Sequence, residues 1–160
     1  MINLSGVTTN LRPRTLALAL GLSLVACGGP SVPTIESTQF GASLQVDLKA
    51  STKTADGEYF RDVIPGTGAV VERGQLLQVN YSGFFADGSP FDSSTGRGPF
   101  SFHLGAGEVI MGWDQGLIGV RVGCTRQLII PPALGYGSNG QGPIPPNAIL
   151  VFTVQVISAQ

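Results

Sequence analysis

The chain has 160 residues, 42% of them hydrophobic and 12% charged, which leaves room for one ordinary domain with a working core. Its 23 glycines and 11 prolines fall between short apolar runs without a fixed period, which excludes a collagen-like chain and points to a turn-rich sheet. Formal net charge is −1, and with Arg12 and Arg14 confined to the first segment no cationic stripe remains to neutralise phosphates, which argues against nucleic acid as a partner.

The chain opens on a stretch with Arg12 and Arg14 and no acid, followed by an almost wholly apolar run from Thr15 to Ala26. This is the layout of a secretory signal peptide, here residues 1–26. As a helix the run would span about 18 Å against a hydrocarbon core of roughly 30 Å, so a retained transmembrane helix is the weaker reading. Leu24-Val25-Ala26-Cys27-Gly28 resembles the lipobox of bacterial lipoproteins, which implies cleavage before Cys27 and lipidation of its sulfur. An ordinary secretory signal with an incidental cysteine is the alternative. The lipobox implies several acyl chains, firm membrane anchoring and an extracytoplasmic location. Two glycines follow instead of aspartate, which implies the outer membrane, facing the periplasm, in an organism that has one. With Cys27 given to lipid, Cys124 is left without an intramolecular partner, so no disulfide framework is possible. No histidine stands near Cys124 in sequence to activate it, and it reads as a packing or surface residue.

From Gly28 to about Thr38 the chain is rich in Gly, Pro, Ser and Thr and reads as a flexible tether, within an N-terminal extension covering residues 27–58. Short apolar runs then predict strands over Leu44 to Leu48, Tyr59 to Ile64, Leu76 to Phe85 and Phe100 to Leu104. Ile110, Trp113 and Leu117 stand at three- and four-residue spacing and predict one short helix over Val109 to Leu117. Strands follow over Gln127 to Ile130 and Ile149 to Ile157, the last with Leu150, Phe152, Val154 and Val156 on one apolar face. Between them Pro65-Gly66-Thr67-Gly68, Pro131-Pro132 and Gly135 to Pro146 are punctuators that no helix interior tolerates. Strands with one packed helix make an α+β domain over residues 59–160.

Several blocks across this domain occur in the order of a known family. They are Val79-Asn80-Tyr81-Ser82-Gly83, Asp87-Gly88-Ser89-Pro90-Phe91-Asp92-Ser93-Ser94 and Pro99-Phe100-Ser101-Phe102-His103-Leu104-Gly105. Val109-Ile110-Met111-Gly112-Trp113-Asp114-Gln115-Gly116-Leu117 comes next, then Tyr136-Gly137 and Ile144-Pro145-Pro146-Asn147-Ala148-Ile149-Leu150-Val151-Phe152. From Tyr59 to Ile157 the chain resembles the FKBP-type peptidyl-prolyl cis/trans isomerases. The resemblance implies a twisted antiparallel sheet of about five to six strands wrapped around one short helix, with a ligand cleft between them.

It also implies a reaction. An X–Pro amide crosses a barrier of about 18–20 kcal/mol and takes tens of seconds unaided. No bond is made or broken, so no nucleophile, metal, acid–base pair or cofactor is required. The site must prefer the twisted amide, less polar because its resonance is lost, over the planar one. By matching position, Trp113 would floor an apolar slot beneath the proline ring, with Phe91 and Phe152 as walls. Tyr81, Phe100, Val109, Ile110 and Ile144 would complete the lining, the Ile110 N–H donating to a ligand carbonyl. Asp92 and the Tyr136 hydroxyl would fix the peptide from the rim. Partners implied are folding proteins with X–Pro bonds, and macrolide inhibitors such as tacrolimus or rapamycin.

On periodicity alone each of these aromatics would be assigned to the core, and Asp92 to solvent or a cap. The resemblance is what moves them into a site. Phe102, Leu104, Leu76, Leu128, Ile130 and Leu150 read as plain core, and His103, alternating with Phe102 and Leu104, as exposed. The chain departs from the family at Gln141-Gly142-Pro143-Ile144, one residue shorter than in well-known eukaryotic members and without their histidine and paired isoleucines. Apolar bulk at the rim is thereby reduced near Pro143. A non-catalytic module that holds proline-containing segments is the alternative function, and too little helix-forming sequence precedes Tyr59 for a dimerising helix, so a monomer is expected.

Overall fold

The computed structural model describes residues 32–160, and the expected signal peptide, Cys27 and the first part of the tether lie outside the described residues. Within them one antiparallel sheet is built from β1 (Thr52–Lys53), β2 (Tyr59–Ile64), β3 (Leu76–Phe85), β4 (Pro90–Ser93), β5 (Phe100–His103), β6 (Thr125–Ile130) and β7 (Leu150–Ala159). The strand order is β1-β2-β6-β7-β3-β4, and β5 pairs with β3 beside β4. A single α-helix among the described residues, α1 (Met111–Gly116), enters between β5 and β6. This is the expected α+β architecture, and the strand beyond the expected number is the two-residue β1.

The alternation in β7 sets the main core. Leu150, Phe152, Val154 and Val156 pack with Leu77 and Val79 of β3, Leu128 and Ile130 of β6, Trp113 of α1 and Leu117 at the C-cap of that helix. Gly112 and Gly116 let the helix approach the sheet closely: a Cβ on either would stand 2.7–2.8 Å from Ile130 or Leu128. Phe102 and Leu104 are buried and His103 is exposed, as their alternation predicts. Leu76 is only half-buried. It pairs with His103 at the end of the sheet, while Leu77, opposite Phe102, takes the core position.

A second core lies on the other face of the sheet, where Tyr59, Ile129, Ile149 and Val151 are covered by Ile35 and Leu44. β6 is thus buried on both faces, and Arg126 and Gln127 are buried with it beside the apolar run Leu128 to Ile130. Two expectations are corrected by this strap. The flexible tether does not reach Thr38, because Ile35 is 3% exposed and opens a 3-10 turn, Ile35–Ser37, whose Ser37 N–H donates to the Thr34 hydroxyl. Leu44 to Leu48 is not a strand. After a second 3-10 turn, Ala42–Leu44, Gln45 is left-handed at φ 49° and the chain crosses the sheet face instead of joining its edge. Its carbonyls are satisfied by side chains, Gln127 Nε2 donating to Leu44 O at 2.7 Å and Arg61 to Gln45 O at 2.9 Å. At the start of the strap Lys53 and the Tyr59 hydroxyl both donate to Glu36, and the Lys53 bond above all holds that carboxyl down at about 2.

Candidate active site

A cleft of about 250 Å³ opens between α1 and the inner face of the sheet. Its apolar lining is Tyr81, Phe91, Phe100, Val109, Ile110, Trp113 and Phe152, with Asp92, Glu108 and Tyr136 as polar groups. Gly83 in β3 makes the walls possible, since a Cβ there would meet the Phe91 and Phe152 rings at 2.7 and 2.8 Å. Without that atom the two rings close edge to face, 5.5 Å apart at 87°. Trp113 is carried by α1, with its indole 5.3 Å from Phe152 and 5.2 Å from Tyr81, both near perpendicular. Edge-to-face contacts of this kind fix ring orientation beyond simple burial. Trp113 is 4% exposed yet lines the cleft, so it is a floor and not a sealed core residue. Its Nε1 finds no acceptor among the described residues.

A larger depression of about 540 Å³ lies elsewhere, where Asn80, Ser82, Thr125, Thr153 and Gln155 present uncharged polar groups. A hydrated polar sheet face of this kind is ordinary in an antiparallel sheet. The aromatic cleft is the one that can strip water from a ligand.

The rim of the cleft is organised around Asp92. The Tyr81 hydroxyl donates to Asp92 Oδ2 at 2.5 Å, the Ser93 N–H donates to Oδ1 at 2.8 Å, and Arg97 pairs with Oδ1. Burial pushes the Asp92 carboxyl up, but the bonds from Tyr81, Arg97 and Ser93 outweigh it and hold the group below the usual carboxylate range. Tyr81 is pushed up to about 12, by burial first and then by its bond to Asp92. Tyr136 rises through burial and through the nearby Asp92 charge. Asp92 is therefore an anion and both phenols are neutral donors at neutral pH. Ile110 is the N-cap of α1, and its N–H makes no hydrogen bond among the described residues, as befits the first donor of a helix.

Of the residues anticipated for the site, Asp92, Tyr136, Trp113, Phe91, Tyr81, Phe100, Val109, Ile110 and Phe152 converge on this cleft. Ile144 does not. Gln141 and Ile144 bond each other through both backbone N–H groups at 2.9 Å, and this tight turn folds Ile144 into the core at 7% exposure. It lines a neighbouring depression of about 340 Å³ that shares Phe91, Asp92 and Tyr136 with the cleft. Two site residues escape sequence reasoning, Arg97 and Glu108. Arg97 lies in a glycine-flanked loop five positions after Asp92, and that proximity of a lone cation to the acid was the available signal. Cys124 takes no part: it is fully buried, and burial together with Asp62 pushes its thiol up to about 11.

Residues 68–157 match the family model described as FKBP-type peptidyl-prolyl cis-trans isomerase. The chain is 52% identical over 86 residues to FK506-binding protein 2 of Dictyostelium discoideum, covering 52% of this chain and 65% of that protein. It is 42% identical over 118 residues to the FK506-binding protein of Streptomyces anulatus, covering 71% and 94%. Among solved structures, FkpA from Escherichia coli superposes with a TM-score of 0.65 at 37% identity, over 70% of this chain and 52% of that one. Against the curated relatives matched first, the chain spans between 28% and 65% of their length. With the matched segment taking in more than half of the residues and every strand from β3 to the body of β7, the chain belongs to the FKBP-type peptidyl-prolyl cis-trans isomerase family.

Proposed function

We propose that this chain is a peptidyl-prolyl cis/trans isomerase that speeds X–Pro rotation in proteins folding outside the cytoplasm. The observation that carries the proposal is the indole-floored cleft, which lacks a metal-ligand set, thiolate or paired acid and base but is walled by aromatic rings. A planar prolyl amide entering it loses hydration that the twisted amide needs less. The Tyr136 hydroxyl and the Ile110 N–H offer donors to the flanking carbonyls, the Tyr81 hydroxyl being committed to Asp92, so the peptide is held while the C–N bond turns. A thousandfold acceleration requires only about 4 kcal/mol of such preference.

The anchor is proposed from Leu24 to Gly28: Cys27 carries lipid and holds the domain at the membrane, at the outer membrane facing the periplasm in a Gram-negative cell. The domain acts as a monomer. Relatives including those of Dictyostelium discoideum and Streptomyces anulatus bear the name FK506-binding protein, and we extend this to tacrolimus and rapamycin, with contact reduced where Pro143 replaces larger apolar bulk. The test is the isomerisation rate of a short X–Pro peptide with the full chain in detergent micelles. A rate equal to background in folded protein refutes catalysis. One observation favours a second reading, a holding module for proline-rich segments: Phe100, a cleft wall, is 40% exposed and extends the apolar surface outward. That reading predicts client binding without rate enhancement.

A further inference from the structure

We infer that Glu108 is a specificity-determining residue, whose carboxylate at the cleft rim selects substrates with a cationic side chain beside the isomerising proline. The inference rests on the isomerase reading above. Glu108 lines the cleft from the loop joining β5 to α1. That loop is gripped by Asp114, 8% exposed, which accepts from the Gly105 N–H at 2.7 Å and the Gly107 N–H at 2.9 Å. The Glu108 carboxylate is held in turn by His103: the backbone N–H donates to Oε2 at 2.9 Å, and ring Nδ1 lies 3.0 Å from Oε1. These bonds, the backbone one foremost, keep the carboxyl below the usual range, so it is ionised at neutral pH. The anion is thus positioned before substrate arrives, and little side-chain freedom is lost in meeting a cation.

The other charges at the rim leave it available. Asp92 is matched by Arg97 and by the Tyr81 hydroxyl, and among the described residues neither lysine nor arginine lines the cleft. A lysyl or arginyl side chain next to the bound proline therefore meets a carboxylate whose one side-chain partner among the described residues is the His103 ring, and a glutamyl side chain meets repulsion. Glu108 is 47% exposed, so the preference is that of a partly screened pair, about two- to fivefold.

The test uses the full chain in detergent micelles and protease-free NMR exchange on peptides that differ only at the residue before or after proline, as lysine, norleucine or glutamate. Trp113 is the lone tryptophan, and its fluorescence reports binding of the same peptides in parallel. In at least one series, lysyl peptides should exceed norleucyl ones about two- to fivefold in kcat/KM, with glutamyl peptides lowest. The ratio should fall toward one in Glu108→Gln and at 1 M salt, where the screening length is about 3 Å, and persist in Asp47→Asn on the strap. Equal values for the three peptides, or a preference that survives Glu108→Gln, overturn the inference. Lysine-selective binding that Glu108→Gln abolishes, in the absence of any turnover, would remove the isomerase reading and leave the role of Glu108 standing.

Discussion

Asp92 accepts three hydrogen bonds from three directions, so each donor orients it and none acts alone. Tyr81→Phe removes the shortest contact of the phenols while keeping the ring against Trp113. We expect a stability loss of about 1 kcal/mol in urea titration, the modest size set by partial exposure. The carboxyl of Asp92 should rise toward its ordinary value, moving the acid limb of the pH–rate profile upward; an unmoved limb would mean that Asp92 does not govern turnover. Glu58 poses the opposite problem. It is fully buried, neither carboxyl oxygen has a partner among the described residues, and Oε1 lies 2.7 Å from where a Cβ of Gly116 would stand. The charged groups nearest it are Arg126, already held by Asp62 and the Gly116 carbonyl, and Asp56. Burial pushes its pKa up from 4.5 to about 8. A carboxyl raised in the folded state contributes stability that is full below its unfolded pKa and is lost as pH climbs through the folded one. Stability should therefore fall between pH 4.5 and about 8, and Glu58→Gln should flatten that slope and gain about 2 kcal/mol at pH 8, read from melting curves across the range. Neither residue announces itself in the sequence. A lone glutamate before an apolar run looks like a solvated turn, and the phenol of Tyr81 looks like a wall, because partners brought in from distant strands have no local signature.

Elements were more legible than side-chain partners, and for a physical reason. The bounds of β2 and β3 are those read from their short runs, and β7 follows from alternation with shifted ends, Leu150–Ala159 against the expected Ile149 to Ile157, because one face of each meets a dry core. The strap was misread because Leu44, Val46 and Leu48 alternate as a strand would, although only Leu44 of the three is fully docked, and because Ile35 stands singly among polar residues. They dock singly, each on a patch of sheet that β2, β6 and β7 leave apolar on their second face. Leu44→Ala should accordingly cost about 2–3 kcal/mol, since a buried side chain is removed and the 3-10 turn beside it cannot collapse fully. Thermal unfolding measures this directly. Peptide turnover at low temperature should change little, because Leu44 belongs to the core on the face opposite the cleft. A loss of activity without a loss of stability would show that the strap shapes the cleft, contrary to the separation of the two cores.

At the scale of the whole molecule, the proposed anchor and the proposed catalyst would be separable parts. Residues 32–160 hold both hydrophobic clusters described, the strap and the described lining of the cleft, and we expect this segment to fold without the leader. Cys27 stands seven positions before Thr34, which begins the ordered strap, and an extended chain of that length reaches at most roughly 25 Å. A lipid on Cys27 would thus act as a short leash. The chain made with its own leader should enter the detergent phase on cloud-point separation, and its mature N-terminus should carry the mass of acyl chains. Replacing residues 1–27 with a cleavable secretory signal should send the protein to the aqueous phase with kcat/KM on a soluble X–Pro peptide unchanged, because the described lining of the cleft runs from Tyr81 to Phe152. Aqueous partition of the parent chain would refute the lipid. A fall in kcat/KM of the released form would mean instead that the first 27 residues support the folded domain, and the independence of its two cores from the leader would be wrong.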